Sequence, residues 1–245
     1  MLGNDIVDLR DAEAQPASFR PRFEERVFSA KERSLIADDA NPLARRWAHW
    51  AAKEASYKLA KQIDSTFVFS PGRLVPNYQE IREQSRCSER GTQRMSGRFE
   101  RRGRLELPHA LAGGIRMLEL RSFECDAWVH VVAAPVGSDW AGVDWLVEAL
   151  GHASEDPSAA IRALAIREIS HGLEVDAERL SIGQKDRIPF VELDGSRTPH
   201  FLSFSHHGNW IGFAVRLRAE TQHSENWMQR GIDSEDRVAG ETCAP

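Results

Sequence analysis

Trp50-Ala51-Ala52-Lys53-Glu54-Ala55-Ser56-Tyr57-Lys58 is the stretch on which the fold turns. It lies inside a run opened by Asn41-Pro42, and proline is tolerated in the first turn of a helix. From there Leu43, Trp47, Trp50, Ala51 and Glu54 recur at three- and four-residue spacing, which predicts a helix reaching about Lys61. That spacing places Glu54 and Lys58 on one stripe with the two tryptophans. Two readings of the pair stay open. A glutamate four residues ahead of a lysine forms the ordinary helix-surface ion pair, worth ~0.3–0.5 kcal/mol. A pair partly buried beside tryptophans needs further partners, which a divalent cation or a phosphate would supply.

Working outward, Ser29-Ala30-Lys31-Glu32 has the form of a capping box and predicts a helix over 30–37. Residues 3–9, around Ile6, Val7 and Leu9, suit a short strand with Asp5 near one end. Downstream, strands are expected at 116–123 and 127–134, helices at 142–150 and 157–172, and strands at 187–193, 201–205 and 210–217. The elements fall in two rounds. The expected fold class is therefore α+β, with two related α+β halves forming a pseudo-dimer, each a small antiparallel sheet packed on a long helix. The first half takes residues 1–137, the second 138–217, and 218–245 is a polar tail. Within the first half a basic insertion spans about 77–115, with eight arginines between 82 and 104 against Glu83, Glu89 and Glu100. Phe99 is its one interleaved aromatic between 82 and 104, so it reads as a solvated hairpin or mobile loop rather than a nucleic-acid arm.

Composition bounds the function. The chain has 245 residues, 41% of them hydrophobic, and 32 Lys and Arg against 37 Asp and Glu give a net charge of -5, so a sizeable core is affordable and broad nucleic-acid affinity is disfavoured. No apolar run approaches the ~18 residues of a membrane span. The N-terminus carries Asp5 and Asp8 where a secretory signal would be basic and then apolar, and Cys87, Cys125 and Cys243 lack paired spacing. A reduced, cytoplasmic location is expected.

Three islands concentrate polar groups in apolar surroundings: Gly3-Asn4-Asp5-Ile6-Val7, the stretch quoted at the outset, and Ser203-Phe204-Ser205-His206. A helix cap or a surface salt bridge accounts for Asp5 taken alone, and a serine-histidine string alone is no hydrolase. The Gly-x-Ser-x-Gly, His-Glu-x-x-His, Walker and dinucleotide patterns are all missing. Asp5 with Glu54 would suit Mg²⁺, which is usually held by one or two carboxylates plus substrate phosphate, and nearby cations could neutralise the remaining phosphates.

In this order the islands resemble the signatures of the 4'-phosphopantetheinyl transferase superfamily: Gly-x-Asp-Ile/Val, Trp/Phe-x-x-Lys-Glu-Ala-x-x-Lys and Ser-x-Ser-His. Phe28-Ser29-Ala30-Lys31-Glu32 looks like its Phe-Ser-x-x-Glu segment, and Phe67-Val68-Phe69-Ser70-Pro71 like the segment after its main helix. The motif order is that of the short holo-acyl-carrier-protein synthases, whereas the length suits two-half members, so the resemblance implies permuted halves. It also implies transfer of 4'-phosphopantetheine from coenzyme A to a serine of an acyl or peptidyl carrier protein, with release of adenosine 3',5'-bisphosphate, as in fatty acid biosynthesis. Mg²⁺ would sit on Asp5 and Glu54 with extra water, because Val7 stands where long members carry another acid. Glu54 would take the serine proton and Lys58 would stabilise the diphosphate. Ser205, His206, Lys53, Arg46, Arg162 and Lys185 would hold the coenzyme. Arg187-Ile188-Pro189 stands where relatives often show Gly-Lys-Pro, which counts against Arg187 as a contact. A chain containing both sides of its site is compatible with a monomer. The rival reading is a non-catalytic protein on the same fold that binds carrier proteins or nucleic acid.

Overall fold

The computed structural model describes residues 1–84, 99–152 and 156–218; much of the arginine-rich insertion and all but the first residue of the tail lie outside them. The chain begins with β1 (Gly3–Asp8), then two helices, α1 (Phe23–Val27) and α2 (Ala30–Ala37), lead to the long α3 (Pro42–Ile63). Four strands come next, β2 (Pro76–Gln84), β3 (Phe99–Glu106), β4 (Met117–Glu124) and β5 (Trp128–Pro135), and then β6 (Val143–Ala149). The helix α4 (Pro157–Leu173) precedes β7 (Leu180–Lys185), β8 (Ile188–Leu193), the two-residue β9 (Ser196–Arg197), β10 (Phe201–His207) and β11 (Trp210–Arg216). Every strand pairing is antiparallel.

The helix starts are those the local chemistry demands. Ser29 Oγ accepts the Glu32 amide while the Glu32 carboxylate accepts the Ser29 amide, a reciprocal capping box. Asn41 caps the Ala44 amide and Pro42 occupies the first turn of α3. The fully buried apolar residues of α3 are Ala48, Ala51, Ala52, Ala55 and Ala60 with Leu59, all but the last small. A helix so lined accepts a very close strand, and β1 takes that place.

Gly3 makes the approach possible, since a Cβ there would lie 2.0 Å from the Ala55 carbonyl oxygen. β1 is thereby laid along α3 at the edge of a five-stranded sheet of order β1-β5-β4-β3-β2. In the second part of the chain, α4 packs Ile161, Leu164, Ala165 and Ile169 against Leu202, Ile211 and Phe213 of the β10-β11-β6 sheet. β7, β8 and β9 form a third, smaller sheet. A further apolar cluster, including Leu2, Ile6, Trp128, Val147 and Ala214, joins the two parts. Burying each leucine, isoleucine, valine or phenylalanine among these stabilises the fold by about 1.5–3 kcal/mol.

Residues 142–150, expected to be helical, form strand β6 instead, pairing Val143 with Arg216 and Ala149 with Trp210. Val143, Leu146, Val147 and Leu150 fit helical spacing, but on so short a run the period is ambiguous, and the open edge of β11 decides for strand. Among the described residues, β2 and β3 pair in the basic region. β7 carries no periodicity that marks it in the sequence.

Candidate functional site

Three elements meet where β1 lies between α3 and β10. Lys58 does not pair along its own helix with Glu54; its Nζ reaches across to Asp5 Oδ1 at 2.7 Å and also donates to the Asn4 carbonyl at 3.1 Å and the Phe204 carbonyl at 3.5 Å. Asp5 is therefore not a helix cap; it forms a salt bridge, with a lysine of a neighbouring helix and with both side chains partly exposed. Burial raises the Asp5 carboxyl, and the Lys58 ammonium works against that rise. Glu54 is pushed up to about 7 by burial and by repulsion from Asp5, again partly offset by Lys58. Among the described residues, no hydrogen bond or ion pair satisfies the Glu54 carboxylate. Two mutually repelling, partly buried carboxylates with one lysine between them lack a positive charge. That shortfall fits a hard divalent cation such as Mg²⁺ on Asp5 and Glu54, with water completing its shell.

The strand β10 divides its side chains by alternation. Ser203 and Ser205 point into the molecule, where Ser203 Oγ accepts the Asn4 amide at 3.0 Å and Ser205 Oγ accepts from Asn4 Nδ2 at 2.9 Å. Asn4 Nδ2 also contacts His130 Nε2 at 3.0 Å and the Gly212 carbonyl at 2.9 Å. His130 is fully buried, and burial followed by the nearby Lys58 lowers it to about 3, so it stays neutral. Ser205, expected on a coenzyme phosphate, is thus buried on Asn4. Phe204 and His206 take the other face and line a cleft.

At the far end of β1, Asp8 is tied to the turn after β10. Its amide donates to His207 Nδ1, and its Oδ2 accepts the Asn209 amide at 3.0 Å. Gly208 turns at φ +54°, where a Cβ would lie 2.5 Å from Asp8 Oδ2, so only glycine lets strand and turn meet. Asp11, Glu13 and His207 also lie within 4.8 Å of one another. Nδ1 of His207 already accepts the Asp8 amide, which leaves Nε2 as its other ring nitrogen.

The cleft has a volume of about 340 Å³ and lies between the C-terminal half of α3, the start of α4 and the β7–β8 turn. Lys58, Lys61, Arg162 and Arg187 supply its positive charge against the one carboxylate of Asp186, His206 lies among them, and Tyr57, Ile161, Phe204 and Pro189 give its apolar wall. A groove with basic rims and apolar walls suits a phosphorylated ligand with an apolar portion. Of the residues expected on the coenzyme, Arg162 and His206 line this cleft, while Lys185 is exposed outside its lining. Lys53 is turned the other way and fully buried, 2.7 Å from Glu32 and donating to the Pro71 and Leu74 carbonyls. Arg46 is likewise elsewhere, 2.6 Å from Glu24 and stacked over Phe19. The helical period explains both: Lys53 and Arg46 leave α3 on other sides than Lys58. Lys61, one turn beyond Lys58, could have been found by that same period; the inward role of Asn4 had no signal in the sequence.

Residues 1–92 match the family model described as the 4'-phosphopantetheinyl transferase superfamily. That stretch, the part of the chain that is similar to this superfamily, holds β1, the capping-box helix and all of α3. No curated protein and no solved structure matches the chain.

Proposed function

We propose that this chain, similar over residues 1–92 to that superfamily of transferases, moves the 4'-phosphopantetheine arm of coenzyme A onto a serine of an acyl or peptidyl carrier protein. The observation that supports the reading best is the Asp5–Lys58–Glu54 cluster at the mouth of a cationic cleft. A two-half organisation, with α3 and α4 each packed on antiparallel strands and split near residue 137, fits a site made from both parts of one chain.

Lys58, Lys61 and Arg162 would hold the diphosphate of coenzyme A, with His206 beside them, and Tyr57 and Phe204 would lie along its apolar portion. When bound at Asp5 and Glu54, Mg²⁺ supplies positive charge against the diphosphate oxygens. The carrier serine oxygen forms its bond to the phosphorus on the pantetheine side, and the diphosphate bridge on that phosphorus breaks. Adenosine 3',5'-bisphosphate leaves with the bridging oxygen. The serine proton passes to Glu54, directly or through a water; in the metal-free fold burial and Asp5 push that carboxyl up to about 7. Lys58, donating to Asp5, would stand next to the oxygens that become more negative.

The test is the intact mass of apo carrier proteins incubated with the protein, coenzyme A and Mg²⁺. A gain of one phosphopantetheine is expected, with loss of two or more orders of magnitude in turnover for a folded Glu54→Ala variant. Near-normal turnover of that variant, or no gain on any carrier, refutes the reading.

A further inference from the structure

β1 and β10 run side by side but are edges of two different sheets, and among the described residues no backbone hydrogen bond joins them. Where no ladder fixes the register of neighbouring strands, side chains must. Toward one end of the seam Gln62 donates to the Leu2 carbonyl at 2.7 Å and to the Leu202 carbonyl at 3.3 Å, and toward the other Asp8 accepts the Asn209 amide. Between those ties stands Asn4, fully buried, on the face of β1 that also carries Leu2 and Ile6.

The Asn4 Nδ2 lies 2.9 Å from Ser205 Oγ on β10, 2.9 Å from the Gly212 carbonyl oxygen on β11 and 3.0 Å from His130 Nε2 on β5. Turned over, the carboxamide would set Oδ1 against that carbonyl oxygen, acceptor to acceptor, so Gly212 fixes which end carries the nitrogen. Asn4 Oδ1 is buried and has no hydrogen-bond partner among the described residues. An unsatisfied buried group costs about 1–3 kcal/mol, and a side chain kept at that cost asks for a role besides stability. The backbone of the same residue points to one. Its amide donates to Ser203 Oγ at 3.0 Å, its carbonyl oxygen accepts from Lys58 Nζ at 3.1 Å, and the next residue, Asp5, takes that same ammonium at 2.7 Å. Lys58 also reaches the Phe204 carbonyl of β10 at 3.5 Å, so its ammonium sits on the seam that Asn4 closes.

We propose that Asn4 is a positioning residue: its carboxamide pins β1 to β10 and β11 at the level of Asp5 and so holds the Lys58 ammonium against the reacting diphosphate. The inference rests on the transferase reading above and deepens it. Ser205 is then the β10 half of the pin and not a contact of the coenzyme. Without the pin, Gln62 and Asp8 still hold the two ends of the seam, and Lys61 and Arg162 still line the cleft. Coenzyme binding survives, while Asp5 and Lys58 shift from the reacting phosphorus. A displacement of about 1 Å at a reacting centre costs up to about 100-fold in rate.

Steady-state turnover of the full chain on apo acyl and peptidyl carrier proteins, with coenzyme A varied, tests this in the wild type, Asn4→Leu and Ser205→Ala. Leucine keeps the branched outline of asparagine and leaves the Ser205 hydroxyl donating to the Gly212 carbonyl, so Tm is expected within about 5 °C of the wild type. The kcat of Asn4→Leu is expected to fall roughly 10–100-fold while KM for coenzyme A stays within about 3-fold. Ser205→Ala removes the β10 half alone and leaves Asn4 on Gly212; kcat is expected to fall about 3–10-fold, again with KM in place. That second variant carries the test if the leucine variant does not fold. General loosening of the fold would move KM and Tm together and would not separate the two constants. A folded Asn4→Leu that keeps its kcat, or a Ser205→Ala that does so, overturns the pin and leaves the transferase reading standing. A rise in KM with kcat unchanged overturns it as well, by placing this side of β10 on the coenzyme. No turnover by the wild type on any carrier overturns both.

Discussion

Glu54 carries the most informative single charge in the molecule. Its carboxyl is raised to about 7 in the metal-free fold, against an ordinary carboxylate once the chain unfolds. The folded state then holds a proton that the unfolded state has released. The stabilising contribution is complete below the ordinary carboxylate range and is lost as pH rises through about 7. Metal-free protein should therefore lose stability between about pH 4.5 and 7.5, by at most about 3 kcal/mol from this group. Glu54→Gln should flatten that segment of a denaturation series taken at stepped pH, and a slope unchanged by the substitution would refute the assignment. Mg²⁺ should restore stability at pH 8 to the wild type and not to Glu54→Gln. Lys58→Met should act in the opposite sense to Glu54→Gln by removing the cation between two carboxylates. About 1–3 kcal/mol is the expected loss at pH 8, read from urea midpoints.

Among the elements, the contact of β1 with α3 is the one that sets the site. Alanines on α3 and the missing Cβ of Gly3 bring the strand against the helix, and Asp5 reaches Lys58 as a result. Gly3→Ala would force a Cβ to 2.0 Å from the Ala55 carbonyl, a backbone clash that no rotamer relieves. About 2–4 kcal/mol of destabilisation is expected, with weaker Mg²⁺ binding in whatever fraction remains folded, since Asp5 moves with its strand. The helix α2 is attached differently, through the buried Glu32–Lys53 pair with His49 at 3.1 Å. Lys53→Met leaves the Glu32 carboxylate buried without its lysine partner. Destabilisation of about 3–5 kcal/mol is expected in chemical denaturation, without the specific loss of coenzyme affinity that a cleft residue would show.

At the scale of the whole molecule, the cleft has one wall from α3 and the other from α4, the β7–β8 turn and β10. Asn4 with Ser203 and Ser205 near one end of β1, and Asp8 with His207 and Asn209 at the other, hold the two walls in register. The apolar cluster around Leu2, Ile6, Trp128 and Val147 lies at the same junction. Residues 1–137 produced alone would expose that surface and lack Arg162 and His206. That fragment should associate in size-exclusion chromatography and fail to bind coenzyme A; a monodisperse fragment that binds it would refute a two-walled site.

Local chemistry in the sequence determined the elements that depend on near neighbours. The capping box at Ser29, the helix opened by Pro42 and the strand around Ile6 all rest on propensity, capping and period acting within a few residues, and all stand as read. The sequence also singled out Asp5, Glu54, Lys58 and His206, and the structure brings Lys58 to Asp5 and sets Lys58 and His206 on one cleft. Tertiary structure alone decided which of them meet. It turned Lys58 from Glu54 to Asp5, buried Lys53 on Glu32, faced Ser205 inward to Asn4, made a strand of 143–149 and brought Arg187 to the cleft. Each of those outcomes depends on a partner tens of residues away, and spacing along a chain holds no record of which surface will arrive opposite.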